Sequence, residues 1–190
     1  MDRDDEVSTS ARRIAGWFVV VSCSYAACLA VAVSRTRPPP LATIGLVATV
    51  VPMGALGAID LVTRRLPRRI AYAGALLSLP LLTVAPSGES ERHASSALGA
   101  VVMVAITGVI YVLGRGSLGR GDLHLSVLLG TVAGWFHPLL AVTSWIATAI
   151  IGTAASVVVM AASRRRSTRF AYGPVMIAGL CIALIAHRPP

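Results

Sequence analysis

Gly119-Arg120-Gly121-Asp122-Leu123-His124-Leu125 sets a carboxyl group directly before a long apolar run. The one chemical partner the chain offers it is Asp60, in Ala58-Ile59-Asp60-Leu61-Val62-Thr63-Arg64-Arg65-Leu66-Pro67. Of the eight acidic residues, Asp2, Asp4, Asp5, Glu6, Glu89 and Glu91 lie in a polar tail or a polar loop, where water solvates them. Asp60 closes one apolar run and Asp122 opens another, positions at which an ionisable group is costly and marks a functional site. Two such carboxyl groups, with no other acid near the membrane, point to a catalytic pair.

Working outward, the chain of 190 residues is 55% hydrophobic and 13% charged. Apolar runs of about 20 residues recur between short basic segments, the pattern of an all-α, polytopic integral membrane bundle. Period-2 strands and polar helix faces, which a soluble domain would show, are missing. A polar tail at 1–13, read as mobile, precedes a single transmembrane domain at 14–190.

Arg12-Arg13 precede a first span, Ile14–Ser34, read as a retained helix rather than a cleaved signal peptide because it is long for a signal core and more spans follow. Prolines at 38–40 break the chain. The second span, Leu41–Ile59, ends at Asp60, and Leu66-Pro67 stops the helix beyond it. A short third span at Ile70–Ala85, a polar loop at Pro86–Ala94 and a fourth span at Ser95–Leu113 follow. After the glycine-rich loop Gly114–Gly121, the fifth span, Leu123–Phe136, carries Gly130 and Gly134 at the spacing that lets helices approach closely. His137-Pro138 turns into a sixth span, Leu139–Ala162, and Tyr172–Ala186 is the seventh. The expectation is about seven spans, or six.

All 17 basic residues are arginine and the formal charge is +9. That charge lies in short interhelical loops, so it reports topology rather than nucleic-acid binding. With the N-terminus cytoplasmic, 13 arginines fall on the cytoplasmic side and four outside, and both aspartates then share the cytoplasmic face. Cys23, Cys28 and Cys181 lie inside apolar runs and read as small packing residues, with no disulfide framework and no metal site. His93, His137 and His187 are scattered and read as loop or interface residues. Gly114-Arg115-Gly116-Ser117-Leu118-Gly119 matches GxGxxG, but a membrane span precedes it where a dinucleotide fold needs a strand.

Two carboxyl groups sharing one site cannot both ionise cheaply, so the pair holds one proton, activates water with one oxygen and protonates a carbonyl with the other. That is aspartic-peptidase chemistry. The glycines around Arg120 let the backbone bend and a substrate approach. The bland alternative is a flexible turn with Asp122 as a helix N-cap. Asp122 at a helix N-terminus and Asp60 near a helix C-terminus further suggest that Asp122 is the resting base.

These residues resemble the type IV prepilin peptidases, membrane aspartic peptidases of the GxGD class. Asp60 with Leu66-Pro67 matches the first family motif and Gly119-Arg120-Gly121-Asp122-Leu123-His124-Leu125 the second. Tyr172-Gly173-Pro174 looks like the third, usually Phe-Gly-Pro. The resemblance spans about Val50 to Ala178. Arg68 stands where the family usually has Asn, and His124 where it has Lys, which would keep a titratable cation beside the pair. The N-terminal domain with paired cysteines that accompanies N-methylation is missing, as in the short forms serving Tad-type pili.

The resemblance implies Asp60 and Asp122 as catalytic residues, supported by Gly119, Gly121, His124, Leu66, Pro67, Gly173 and Pro174. It implies no metal and no cofactor. The implied substrate is the leader of a prepilin or pseudopilin, cut at the cytoplasmic face of the cell membrane. Pilus or type II secretion machinery and membrane lipid are the partners, with no nucleic acid. The competing readings are a catalytically inactive homologue acting in pilus assembly and a small proton-coupled transporter.

Overall fold

Inside a bilayer the backbone must satisfy its own hydrogen bonds, and a chain of apolar runs without alternating strands does so as helices. The computed structural model describes residues 3–64, 66–67, 69–74, 76, 90–114, 118–163 and 171–187. Among them every regular element is a helix: α1 (Arg3–Thr36), α2 (Pro40–Ala48), α3 (Val50–Thr63), α4 (Ser90–Leu113), α5 (Arg120–Phe136), α6 (Leu139–Ser163) and α7 (Gly173–Ala186). Residues 69–74 are also helical; the rest of the third predicted span, through Ala85, lies almost wholly outside the described residues. The protein is a helical membrane bundle.

Several boundaries differ from the sequence reading. The polar tail is helical from Arg3, because nothing in 3–13 breaks the helix that the first span propagates. Helix α4 likewise starts at Ser90, inside the predicted loop. The second span is interrupted at Thr49. Pro52 has no N–H to offer the carbonyl of Ala48 and its ring crowds the preceding turn. The chain tightens there, with the Thr49 N–H donating to Leu46 O at 3.1 Å, and the Tyr25 hydroxyl on α1 holds Thr49 Oγ1 at 2.9 Å. Helix α3 then ends at Arg64, which adopts the left-handed conformation (φ 53°) and donates its N–H to Asp60 O at 2.8 Å.

Four stretches among the described residues are long and apolar enough to cross a bilayer: Thr9–Thr36, Pro40–Thr63, Glu91–Leu113 and Leu139–Ala161. Helices α5 and α7 are shorter, with 17 and 14 residues, roughly 25 and 21 Å at 1.5 Å per residue. Helix α5 is enclosed by its neighbours, and eleven of its residues are buried. Its most extensive partner is α4. Ser95, Ser96 and Gly99 of α4 meet Gly130, Thr131 and Gly134 of α5, so backbones touch with no side chain between them. The Ser96 hydroxyl donates to Thr131 O at 2.9 Å and that of Ser95 to Gly134 O at 2.5 Å. The Gly130/Gly134 spacing is therefore used as predicted, and its complement is the Ser95/Gly99 pair.

The same device recurs. Gly179 of α7 packs on Ser144 and Thr148 of α6, and Gly54 and Gly57 of α3 on Phe18, Val21 and Ser22 of α1. Pairing runs 57 with 21 and 49 with 25, so α3 is antiparallel to α1. It is also antiparallel to α7, since Gly57 faces Ile177 while Asp60 meets Gly173. The end of α3 and the beginning of α7 thus meet at one end of the bundle. Cys23, read as a packing residue, is exposed; Cys28 and Cys181 are half-buried and all three are free thiols.

A Cβ on Gly99 would fall 2.5 Å from Gly130 O and from Gly134 Cα. Gly99→Ala is expected to destabilise the bundle by about 1–3 kcal/mol, read as a lower thermal midpoint in detergent. Gly16→Ala on α1, where a Cβ meets nothing within 4 Å, should leave the midpoint unchanged or slightly raised.

Candidate active site

Asp60 lies in the last turn of α3 and Asp122 in the first turn of α5. Each is only 4% exposed. Burying a carboxyl group demands hydrogen-bonding partners, and both find them in backbone N–H groups at helix starts. Asp60 Oδ2 accepts the Gly173 N–H at 2.8 Å, at the first residue of α7. Asp122 Oδ2 accepts the Gly119 N–H at 2.9 Å. Gly119 is the N-cap of α5 and Asp122 its third helical residue, so Asp122 closes the reciprocal half of a capping box rather than serving as the N-cap itself. Among the described residues, Oδ1 of each carboxyl group takes no hydrogen bond.

The two carboxyl groups are within electrostatic reach of one another, and Tyr172 is within reach of Asp122. The division of roles inferred from helix ends does not follow from this geometry. Asp60 does lie near the C-terminus of its own helix, but its carboxyl group faces the N-terminus of α7, so both groups receive the favourable end of a helix dipole.

The three sequence motifs meet in close contacts at their glycines, the tightest at Gly121. A Cβ on Gly173 would lie 3.0 Å from Asp60 Oδ2. A Cβ on Gly121 would run into Leu66 Cβ, and one on Gly119 would approach Asp122 Oδ2 to 3.4 Å. Leu66 is thereby pressed against the glycine turn that carries Asp122. Pro67 O accepts the Ile70 N–H at 3.1 Å and starts the next helical piece. Pro174 occupies the first turn of α7, where its missing N–H costs nothing.

His124 is not brought to the pair. Two residues beyond Asp122 on a helix, it points to another face: its Nδ1 is 2.6 Å from Arg120 O, and its ring meets Tyr72 edge-on with centroids 5.0 Å apart. A cavity of about 320 Å3 lies there, lined by Tyr111, Arg120, Leu123 and His124. Arg68 lies outside the described residues. The sequence reading missed Trp145 and Gly152, which flank Tyr172: the Trp145 and Tyr172 rings are 6.3 Å apart, and the Tyr172 ring occupies the space a Gly152 side chain would need. Both sit on α6 with no motif to mark them. Among the described residues no three His, Cys, Asp or Glu side chains gather as a metal-sized group.

The sequence model of the type IV leader peptidase family matches residues 44–161. The chain belongs to that family. The match contains both aspartates and stops short of Gly173, whose N–H joins the third motif to the first. Neither the curated proteins nor the solved structures yield a match.

The contact between Leu66 and Gly121 is open to a double-mutant test. Gly121→Ala is expected to cost about 1–3 kcal/mol by overpacking. Adding Leu66→Ala should recover most of that loss, measured as a non-additive change in thermal stability across the four proteins.

Proposed function

We propose that the chain is an aspartic endopeptidase that removes the short leader from type IV prepilins or pseudopilins at the cytoplasmic face of the cell membrane. The observation that carries this reading is the matched seating of Asp60 and Asp122. Each is buried at the same end of the bundle, tied by one oxygen to a helix-terminal N–H and left with its second oxygen unbonded among the described residues.

In this mechanism the pair shares one proton, because two adjacent anions in a buried site repel. The ionised partner takes a proton from a water held between the two Oδ1 atoms. The resulting hydroxide attacks the scissile carbonyl, and the protonated partner gives its proton to the carbonyl oxygen. The carboxyl group that took the water's proton passes it to the leaving amine while its partner takes back a proton from a hydroxyl of the tetrahedral gem-diol, so that the C–N bond breaks, a carboxylic acid forms and the singly protonated pair is regenerated. Gly173 and Gly119 act by fixing the two carboxyl groups, so that each presents Oδ1 to the water. The placement of both acids at one end of the bundle supports this reading over a chain of acids relaying protons through it. The substrate's hydrophobic helix lies among the spans, and its scissile bond at their end.

The test is co-expression with a prepilin and a gel assay of leader removal. Asp60→Ala and Asp122→Ala should each lower cleavage by on the order of 10²–10⁴-fold, the range for loss of a positioned acid or base. His124→Ala, which leaves the pair's own hydrogen bonds intact, should lower it less than about tenfold. Wild-type protein that leaves uncut a prepilin processed by another family peptidase would instead favour an inactive assembly factor. Gly173→Ala should reduce cleavage by about 10²-fold through displacement of Asp60, with little change in thermal midpoint.

A further inference from the structure

At the end of the bundle remote from the aspartates, α6 and α7 part. Near the site they are held together by Gly152 on Tyr172 and Val175, and midway along α7 by Gly179 on Ser144 and Thr148. Beyond that contact they leave a cleft of about 520 Å3, within the size range of small-molecule sites. Its walls are Leu140, Thr143 and Ala147 from α6 and Ile182, Ala183 and Ala186 from α7. It opens on the outer surface of the bundle, where Leu139 is 64% and Ile182 48% exposed. On a helical membrane bundle that surface faces hydrocarbon, so an apolar cleft there takes an acyl chain.

The mouth of the cleft has a different chemistry. His137 caps the end of α5 and His187 the end of α7, and their rings are 6.2 Å apart. His137 Nδ1 accepts the Leu139 N–H at 3.2 Å, which puts the proton of the neutral ring on Nε2 and leaves that nitrogen as a donor. Arg35 reaches over from α1, its Nη1 2.6 Å from Ile185 O and 3.2 Å from His187 O. The N-terminus of α6, the positive end of a 25-residue helix, points to the same place. Among the described residues lining or capping this mouth none is acidic. Burial, then the neighbouring His137 and Arg35, hold the His187 ring below the usual histidine range. Among the described residues, one arginine, two imidazoles and a helix N-terminus thus meet at this mouth with no acidic side chain lining it.

We infer that the cleft between α6 and α7 holds one anionic phospholipid, its acyl chain along Thr143, Ala147 and Ile182 and its phosphate at His137, His187 and Arg35. The apolar walls select a lipid over a soluble anion, and the basic mouth selects an anionic over a zwitterionic headgroup. The site is independent of peptide cleavage, since it sits at the far end of α7 from Gly173.

The experiment is native mass spectrometry of the full-length protein, purified in detergent and titrated with phosphatidylglycerol or phosphatidylcholine. Wild type should retain one phosphatidylglycerol with a preference of about tenfold, the effect of one to two basic contacts. His137→Ala/His187→Ala should lose most of that preference. Ala186→Trp, which fills the mouth from an exposed position, should retain neither lipid, with an unchanged thermal midpoint in lipid-free detergent. Equal retention of the two lipids by wild type, or wild-type retention by both variants, would overturn the assignment. Displacement of phosphatidylglycerol by an equal concentration of inorganic phosphate would also overturn it, in favour of a free-anion site.

Discussion

The hydrogen bond from the Gly173 N–H to Asp60 Oδ2 ties the last turn of one helix to the first turn of another, 113 residues further along the chain. It solves two problems at once. A carboxyl group in a nearly dry environment needs a donor, and a helix N-terminus needs an acceptor for an orphan N–H. Meeting both needs with a single contact fixes where α7 begins relative to where α3 ends. Asp122 is treated in the same way by its own N-cap, so both acids are held by backbone, which has no rotamers to lose.

That economy depends on close approach, and glycine provides it wherever the acids are placed. Gly173 and Gly121 stand where any Cβ would meet Asp60 or Leu66. The scaffold around them follows the same logic, since hydrocarbon supplies no hydrophobic driving force between helices and contacts must come from packing and interhelical hydrogen bonds. The serine hydroxyls on carbonyls across α4 and α5, and the Trp145 indole donating to Thr107 at 3.1 Å, are bonds of this kind. The small-residue interface along Gly130 and Gly134 holds α5 against α4.

The two ends of the bundle carry contrasting chemistry. One gathers two acids at helix ends in a buried setting. The other gathers Arg35, His137 and His187 around an apolar cleft that opens sideways. Because α7 runs from one to the other, it contributes its first N–H to the acids and its last residue to the basic mouth.

The sequence by itself determined the helical membrane class, through runs whose length matches a bilayer, and it singled out Asp60 and Asp122, because a carboxyl group bordering hydrocarbon stands out from six that do not. It also carried the Gly130/Gly134 seam, since residues four apart share a helix face. The break at Thr49 was legible only in hindsight: Pro52 signals a disruption but not which carbonyl loses its partner. The placement of His124 could be read only in part, because its match to a family motif suggested the pair while its two-residue offset from Asp122 turned it away. Trp145 and Gly152 beside Tyr172, the Leu66 contact with Gly121 and the meeting of Gly173 with Asp60 were decided by tertiary structure alone. Each joins segments far apart in the chain, and periodicity reports which face of a helix is apolar, not which other helix will cover it.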